Sequence, residues 1–450
     1  MMIMRSYSRW IFGWFFPALL AIPTAAFAQK RTLTLEETLR LADEQSLDVR
    51  GARLALERSS LAIEAARAQY LPEVTASGEY LVNLQPQVLF IAPGNPFNQT
   101  DRTEAFPIGS RHAAGLAVNV TQPLYDPLRS ARRTVAEAET EVTRAQLEAV
   151  RAQVRVNAEK AFYRALFAGS ERSTREQAIQ TALANLDIIR IRFRNGRAMA
   201  LDTITAGASL ARVRADAERA RFNEQQALLA LAQTLDLPDH RNIEVQGTLE
   251  IPTAPGPSGG DMTQPSDRLN SAAIELAETR IAVARTNADL QGATTAPTVN
   301  AVGRWQALGQ SNSTLPEDLR WAMTSHVGIS ALYPLSNLWR GNPEREEAML
   351  RTREAELELE RVRQVDSVQL LNLLLVMEGA RAQVLAEQAS VAQARQAAEI
   401  TAILYKEGRA TLLDMENAQE RVRNAELSED RITLQFLESY ADLKALTRVE

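Results

Sequence analysis

Side chains able to carry out a reaction are few in this chain, and they are poorly grouped. None of the 450 residues is a cysteine, which removes disulfides, thiolate nucleophiles and thiolate metal ligands together. Histidine occurs only as His112, His240 and His326, in unlike contexts and without the short spacings that let imidazoles share a metal. No glycine-rich phosphate loop, nucleophile elbow or paired acidic motif is present. Carboxylates are frequent, but they alternate with arginines as on a solvated helix face. The methionines beyond residue 28 stand singly and offer no relay for a soft metal. These features do not indicate an enzyme, and no metal or other cofactor is expected.

One short pattern does recur. Phe193-Arg194-Asn195-Gly196-Arg197-Ala198, followed by Leu201-Asp202, is answered by Tyr405-Lys406-Glu407-Gly408-Arg409-Ala410, followed by Leu413-Asp414. Ala206 and Ala418, then Leu231 and Leu443, keep the same offset. Upstream, Leu71-Pro72-Glu73-Val74 answers Ala296-Pro297-Thr298-Val299, and Pro123-Leu124 answers Pro334-Leu335. Several motifs recurring in one order argue for duplication.

The elements that carry the turns are long helices. Ala, Arg, Glu, Gln and Leu dominate these stretches, and their apolar residues recur at three and four. Ser130–Asn195 and Pro343–Glu407 would each run roughly 100 Å, beyond any ordinary globular core. Gly196 and Gly408 stand where C-cap glycines end such helices. Shorter helices are predicted over Leu35–Tyr70, Ala198–Asp236, Ser266–Thr295 and Ala410–Thr447. Joined end to end in pairs, they match the long ones in length. Between the halves, residues 237–265 carry five prolines and several glycines, too many helix breakers for anything but a linker outside the joint.

Between helices the period changes from 3.6 to two. Val74, Ala76, Gly78, Tyr80, Val82 and Leu84 alternate with Thr75, Ser77, Glu79, Leu81 and Asn83. Ala114, Leu116, Val118 and Val120 alternate with Gly115, Ala117, Asn119 and Thr121. In the second half Val299, Ala301 and Trp305 oppose Asn300, Arg304 and Gln306. Trp321, Met323, Val327, Ile329, Ala331 and Tyr333 oppose Thr324, His326, Gly328 and Ser330. Four strands are predicted, at about 72–84, 112–124, 297–309 and 320–334. Their length and dyad pattern suit a membrane β-barrel, and the tryptophans Trp305, Trp321 and Trp339 lie in or beside the last two. A pair of soluble hairpins covering the helices is the alternative. Four strands cannot close a barrel, and open edges are prohibitive in lipid. Two copies would give eight strands and three would give twelve; the physics leaves both open.

The N-terminus sets the compartment. Arg5 and Arg9, the apolar run from Trp10 to Leu20, and Ala26-Phe27-Ala28 form a secretory signal peptide over 1–28, with Gln29 as the expected mature start. Losing two arginines takes the formal net charge from −6 to −8, a poor balance for nucleic acid. Without cysteine there is no lipoprotein acylation site. No later uninterrupted apolar run reaches eighteen residues, so no spanning helix is expected. The organisation is thus 1–28 leader, 29–236 first repeat, 237–265 linker and 266–450 second repeat.

Across nearly the whole mature chain this plan resembles the TolC family of outer-membrane efflux proteins. The aromatic-x-x-Gly…Leu-Asp turns and the Pro-Leu pairs between strand and long helix carry the likeness. The resemblance implies a mostly α fold with a β membrane segment: a duplicated long-helix α-barrel, plus four strands per chain contributing to a shared trimeric β-barrel. It implies a homotrimer in outer-membrane lipid that docks at its tips onto a periplasmic adaptor (membrane fusion) protein and an inner-membrane transporter of RND, ABC or MFS type. Family members close the tip with a tyrosine, aspartates and arginines. Tyr405, Asp414 and Asp202 match that tyrosine and two of the aspartates. Asn417 and Ala410 stand where relatives can have an aspartate and an arginine. Arg194, Arg197 and Arg409 are the neighbouring candidates for tip ion pairs. The turns Gly196-Arg197-Ala198 and Gly408-Arg409-Ala410 are the expected adaptor-docking points. A periplasmic coiled-coil adaptor or scaffold is the rival reading, but it would show one helical hairpin framed by β domains rather than doubled hairpins after alternating strands.

Overall fold

The structure, a computed structural model, describes residues 31–85, 87–94, 96–98, 100–237, 243–252, 269–313 and 318–448. The leader 1–28, Gln29, His240 and most of the 237–265 linker lie outside the described residues. β1 (Arg31–Leu33) leads into α1 (Leu35–Gln45), α2 (Leu47–Ala68) and β2 (Glu73–Val82). β3 (Val88–Ile91) and β4 (Glu104–Pro107) form a small hairpin before β5 (His112–Tyr125). α3 (Pro127–Arg194) and α4 (Ala200–Thr234) follow, then β6 (Ile243–Val245). The remainder runs α5 (Ala272–Ala293), β7 (Thr298–Ser311), β8 (Arg320–Leu332), the one-turn α6 (Asn337–Arg340), α7 (Pro343–Lys406) and α8 (Leu412–Thr447).

The two long helices have 68 and 64 residues, so each spans about 100 Å. Both start by the same device, a proline at the first helical position behind a capping side chain. Asp126 accepts from Leu128 N at 3.1 Å, and Asn342 accepts from Arg345 N at 3.0 Å. α3 thereby begins three residues before Ser130, because Asp126-Pro127 is already a start signal. α4 and α5 both pack along α3, as do α2 and α8, and α7 packs against α5 and α8. Phe162, Leu231, Leu235, Leu370, Phe436 and Leu437 fill the core where these helices meet.

The helix predicted over Leu35–Tyr70 is interrupted. Ser46 takes an extended ψ of 129° between α1 and α2, and the freed Leu47 N–H donates to Asp236 Oδ2 at 2.8 Å. The cap comes from beyond the far end of α4, 189 residues away, so local sequence could not announce it. Two further elements escaped the periodicity. β1 pairs in parallel with β6 beside the helical core, and β3 pairs with β4. Strands of three or four residues are too short to show a period. α5 starts at Ala272 behind its cap Ser271, later than the expected Ser266. One helix, α7, does contain an 18-residue window apolar enough to cross a membrane by length and composition. Leu370, Leu373, Met377 and Ala380, in the middle of α7, are spent on the core instead.

The four longer strands make one antiparallel sheet in the order β2-β5-β7-β8. Its register aligns the apolar alternates. Val74 faces Val120, Val118 faces Trp305, Gly303 faces Val327 and Ala301 faces Ile329. With a side-chain period of two, all of these fall on one side of the sheet. That side is uncovered within the chain: Val74, Tyr80, Leu116, Trp305, Trp321, Met323, Val327 and Ile329 are all exposed. The Trp321 ring lies so close over Gly309 that a Cβ there would meet it at 2.9 Å. The opposite side carries Thr75, Asn119, Arg304 and His326 in one cross-sheet row, with Ser77, Gln306 and Thr324 in the next. β2 and β8 each have one edge without a partner strand among the described residues.

Candidate functional site

Each helical hairpin ends in the same turn. α3 closes with Gly196 N donating to Phe193 O at 2.9 Å and Arg197 N to Arg192 O at 2.8 Å. α7 closes with Gly408 N to Tyr405 O at 3.2 Å and Arg409 N to Leu404 O at 2.8 Å. This is the paired C-cap that needs a left-handed residue after the helix, and φ is +66° at Gly196 and +75° at Gly408. The returning helices start as predictably. Asp414 Oδ2 accepts from Thr411 N at 2.9 Å and from the Thr411 hydroxyl at 2.6 Å, while Asp414 N donates to Thr411 Oγ1 at 3.1 Å. These bonds from the Thr411 side chain and backbone hold the Asp414 carboxyl below its ordinary value. Asp202 accepts from Met199 N at 2.8 Å, and Met199 has no hydroxyl to answer with.

Within one chain the two aspartates therefore face their own helix starts. Arg409 comes within 3.7 Å of Glu407, both strongly exposed. Arg194, Arg197, Gly196, Gly408 and Asn417 are exposed, and Ala198, Asp202 and Ala410 are half-buried. The contacts that join the two hairpins sit slightly inward, and they include residues that the repeated motif did not mark. The Arg192 guanidinium lies 4.7 Å from the centroid of the Tyr405 ring and donates to Tyr405 O and Lys406 O at 3.3 and 3.4 Å. Leu186, Ile189, Ala206 and Leu210 of the first hairpin pack with Leu412 and Met415 of the second. Arg192 corresponds by the repeat to Leu404, so internal symmetry could not have flagged it.

Farther in, α3 and α8 are joined by a series of polar links. Asn185 Nδ2 donates to Gln419 Oε1 at 3.3 Å, Arg175 lies 3.5 Å from Glu420, and the Ser170 hydroxyl donates to Asp430 at 2.6 Å. Lys160 pairs with Asp442 at 2.6 Å, and Lys444 with the buried Glu159 at 2.7 Å. Tyr163, buried beside Glu159, has its phenol pushed far above the usual range by burial and by that carboxylate. No group of three side chains able to hold a metal occurs among the described residues. His112 gives its Nδ1 to a 2.7 Å hydrogen bond with the Tyr80 hydroxyl, and His326 lies on the other side of the sheet.

Hairpins built on helices of about 100 Å, joined to a sheet with one bare apolar side and, among the described residues, two open edges, have the architecture of a membrane channel component. The outer membrane efflux protein family model matches residues 38–236 and 266–447, and the chain belongs to that family. No curated protein sequence matches it. Its fold is similar to the Campylobacter jejuni CmeC outer membrane channel, at 18% identity and a TM-score of 0.70, over 92% of this chain and 87% of that one. It is similar to the Vibrio cholerae outer membrane protein VceC, at 17% identity and a TM-score of 0.68, over 92% and 96%. The open state of the Neisseria gonorrhoeae MtrE outer membrane channel also matches, at 19% identity and a TM-score of 0.68, over 92% and 88%.

Proposed function

We propose that the chain is the outer-membrane duct of a tripartite efflux or secretion system. It conducts substrates from an inner-membrane transporter across both the periplasm and the outer membrane. The observation that carries this reading is the sheet. Eight large apolar side chains share one uncovered side, each worth about 1.5–3 kcal/mol when taken out of water. Lipid is the surface that can cover them, and open edges in lipid require closure by further copies. Three copies give a twelve-strand barrel, as the family resemblance implies, and three sets of hairpins then form the periplasmic tube. The turns at Gly196-Arg197-Ala198 and Gly408-Arg409-Ala410, together with the exposed Met199, Leu201 and Leu413, are where a periplasmic adaptor docks. Tyr405, Asp202, Asp414, Asn417, Arg194, Arg197 and Arg409 ring the closed tip. The adaptor in turn joins a transporter of RND, ABC or MFS type. The leader is removed after Ala28, and the protein is not acylated.

Membrane fractionation, crosslinking and intact mass test this together. The protein should travel with the outer membrane, crosslink as a trimer and have the mass of a chain beginning at Gln29. A monomer released without detergent would overturn the duct, and an added acyl mass would overturn the processing.

A further inference from the structure

Lipid accounts for the apolar side of the sheet, but not for what stands on the other. There Thr75, Asn119, Arg304 and His326 lie in register, one from each strand. Neighbours in such a row have their Cβ atoms about 4.5–5.5 Å apart, so a hydroxyl, an amide, a guanidinium and an imidazole line up across the whole sheet. Arg304 is the seventh of the 14 residues of β7, and His326 the seventh of the 13 of β8. Both are therefore at mid-strand. Thr75, Arg304 and His326 are exposed and Asn119 is half-buried. Among the described residues none of the four side chains has a hydrogen bond or an ion pair. The next row on the same side, Ser77, Ala117, Gln306 and Thr324, is neutral. Within the chain the closest carboxylate on this side is Glu73, two strands across from Arg304 and two residues along. Strand geometry puts it about 12 Å away, beyond the ~8 Å over which exposed charges act on each other at physiological salt. Glu79 lies four residues along in the other direction.

We propose that Arg304 and His326 form an anion-binding girdle midway through the barrel, which takes polyvalent oxyanions such as polyphosphates from the lumen. The inference rests on the duct reading. Once lipid covers the apolar side, this row faces the water-filled lumen, and every copy supplies one. An arginine with its fork unoccupied takes two oxygens of one phosphate or carboxylate at once. Asn119 and His326 flank it directly in the register and add N–H donors, and the Thr75 hydroxyl extends the row. The neutral wall around the row leaves the arginine's charge uncancelled. Guanidiniums from several copies around one lumen favour solutes carrying more than one negative charge over chloride.

The test is block of single-channel current through the purified full-length protein in planar bilayers. The probe is inorganic tripolyphosphate, added to the chamber at the end of the barrel away from the helices. It should interrupt the parent's current at millimolar concentration. Arg304→Gln should raise the half-blocking concentration at least about tenfold, as loss of a charge-assisted hydrogen bond does. His326→Gln should raise it about threefold. Arg320→Gln removes the same charge six residues nearer the mouth and should shift it about twofold or less. Crosslinking shows which variants assemble, and if Arg304→Gln does not, His326→Gln answers the same question. A parent that tripolyphosphate does not block, or an unchanged half-blocking concentration in assembled Arg304→Gln or His326→Gln channels, would overturn the girdle. So would equal shifts for Arg320→Gln and Arg304→Gln, which would mark the overall charge of the lumen instead. A parent that makes no channel would sink the duct reading itself, and the girdle with it.

Discussion

The sheet offers the most discriminating perturbation, because one strand presents its two sides to different surroundings. Val327 lies near the middle of β8, paired with Gly303, and is 89% exposed within the chain. In a barrel that position faces hydrocarbon close to the bilayer midplane. An arginine there costs about 2–4 kcal/mol, so a trimer carrying three loses roughly 6–12 kcal/mol. Thr324, three residues away, is on the polar side, and Thr324→Arg should be tolerated. If the strands were soluble hairpins, Val327 would be an ordinary surface residue and its substitution would cost about 0.5 kcal/mol or less. The comparison is made by refolding Val327→Arg and Thr324→Arg proteins into lipid vesicles across a urea series and measuring trimer formation. Val327→Arg should need markedly less urea to fail. Equal urea midpoints for the two variants would refute the assignment of sides, and a Val327→Arg midpoint equal to the parent would refute the barrel.

Two further outcomes follow from buried charges. Lys444→Ala should lower the stability of the detergent-solubilised protein by about 3–5 kcal/mol, because it strands the Glu159 carboxylate, which is 4% exposed; Glu159→Gln with Lys444→Met should restore the melting temperature, and a double variant as unstable as the single one would contradict this. Acid should act on the packing of α8 against α3 and α4 in two steps of opposite sign. Burial raises the Glu416 carboxyl above its ordinary 4.5 despite Ser209, Arg212 and Arg423, so its protonation favours the packed state as pH falls through that raised value. Glu420 is held below 4.5, so its contribution is present above 4.5 and is lost only as pH falls through the depressed value. The melting temperature measured against pH should therefore hold through mild acid and fall below 4.5, and a fall between about pH 6 and 5 would contradict the assignment.

Fold class was open to reading because its signals are long and redundant. A 68-residue helix shows its period many times over, and the alternation of β2 and β5 recurs in β7 and β8. The turns were readable for the same reason: a glycine that must be left-handed and an acid that caps the next helix are local requirements. What failed to show is non-local or short. The break at Ser46 depends on Asp236, and the three-residue β1 depends on β6. Arg192, Glu416 and Glu420 look in the sequence like any charges on a solvated helix face, because nothing local distinguishes an arginine over a tyrosine from its exposed neighbours.

That contrast bears on how a repeated motif should be interpreted. Asp202 and Asp414 each follow a turn glycine by six residues, the spacing that a C-cap glycine, a short link and an N-terminal capping acid would produce in any two duplicated hairpins. Duplication therefore preserves what each hairpin needs to fold by itself. Within the chain the contacts that join the hairpins do not repeat, since α3 meets α8 along a seam that relates different helices of the two copies. Arg175 corresponds to Glu387 and Glu420 to Ala208, so the pair across the seam has no counterpart in the other half. Within the chain, the first hairpin is therefore held to the second at positions that the repeat does not mark.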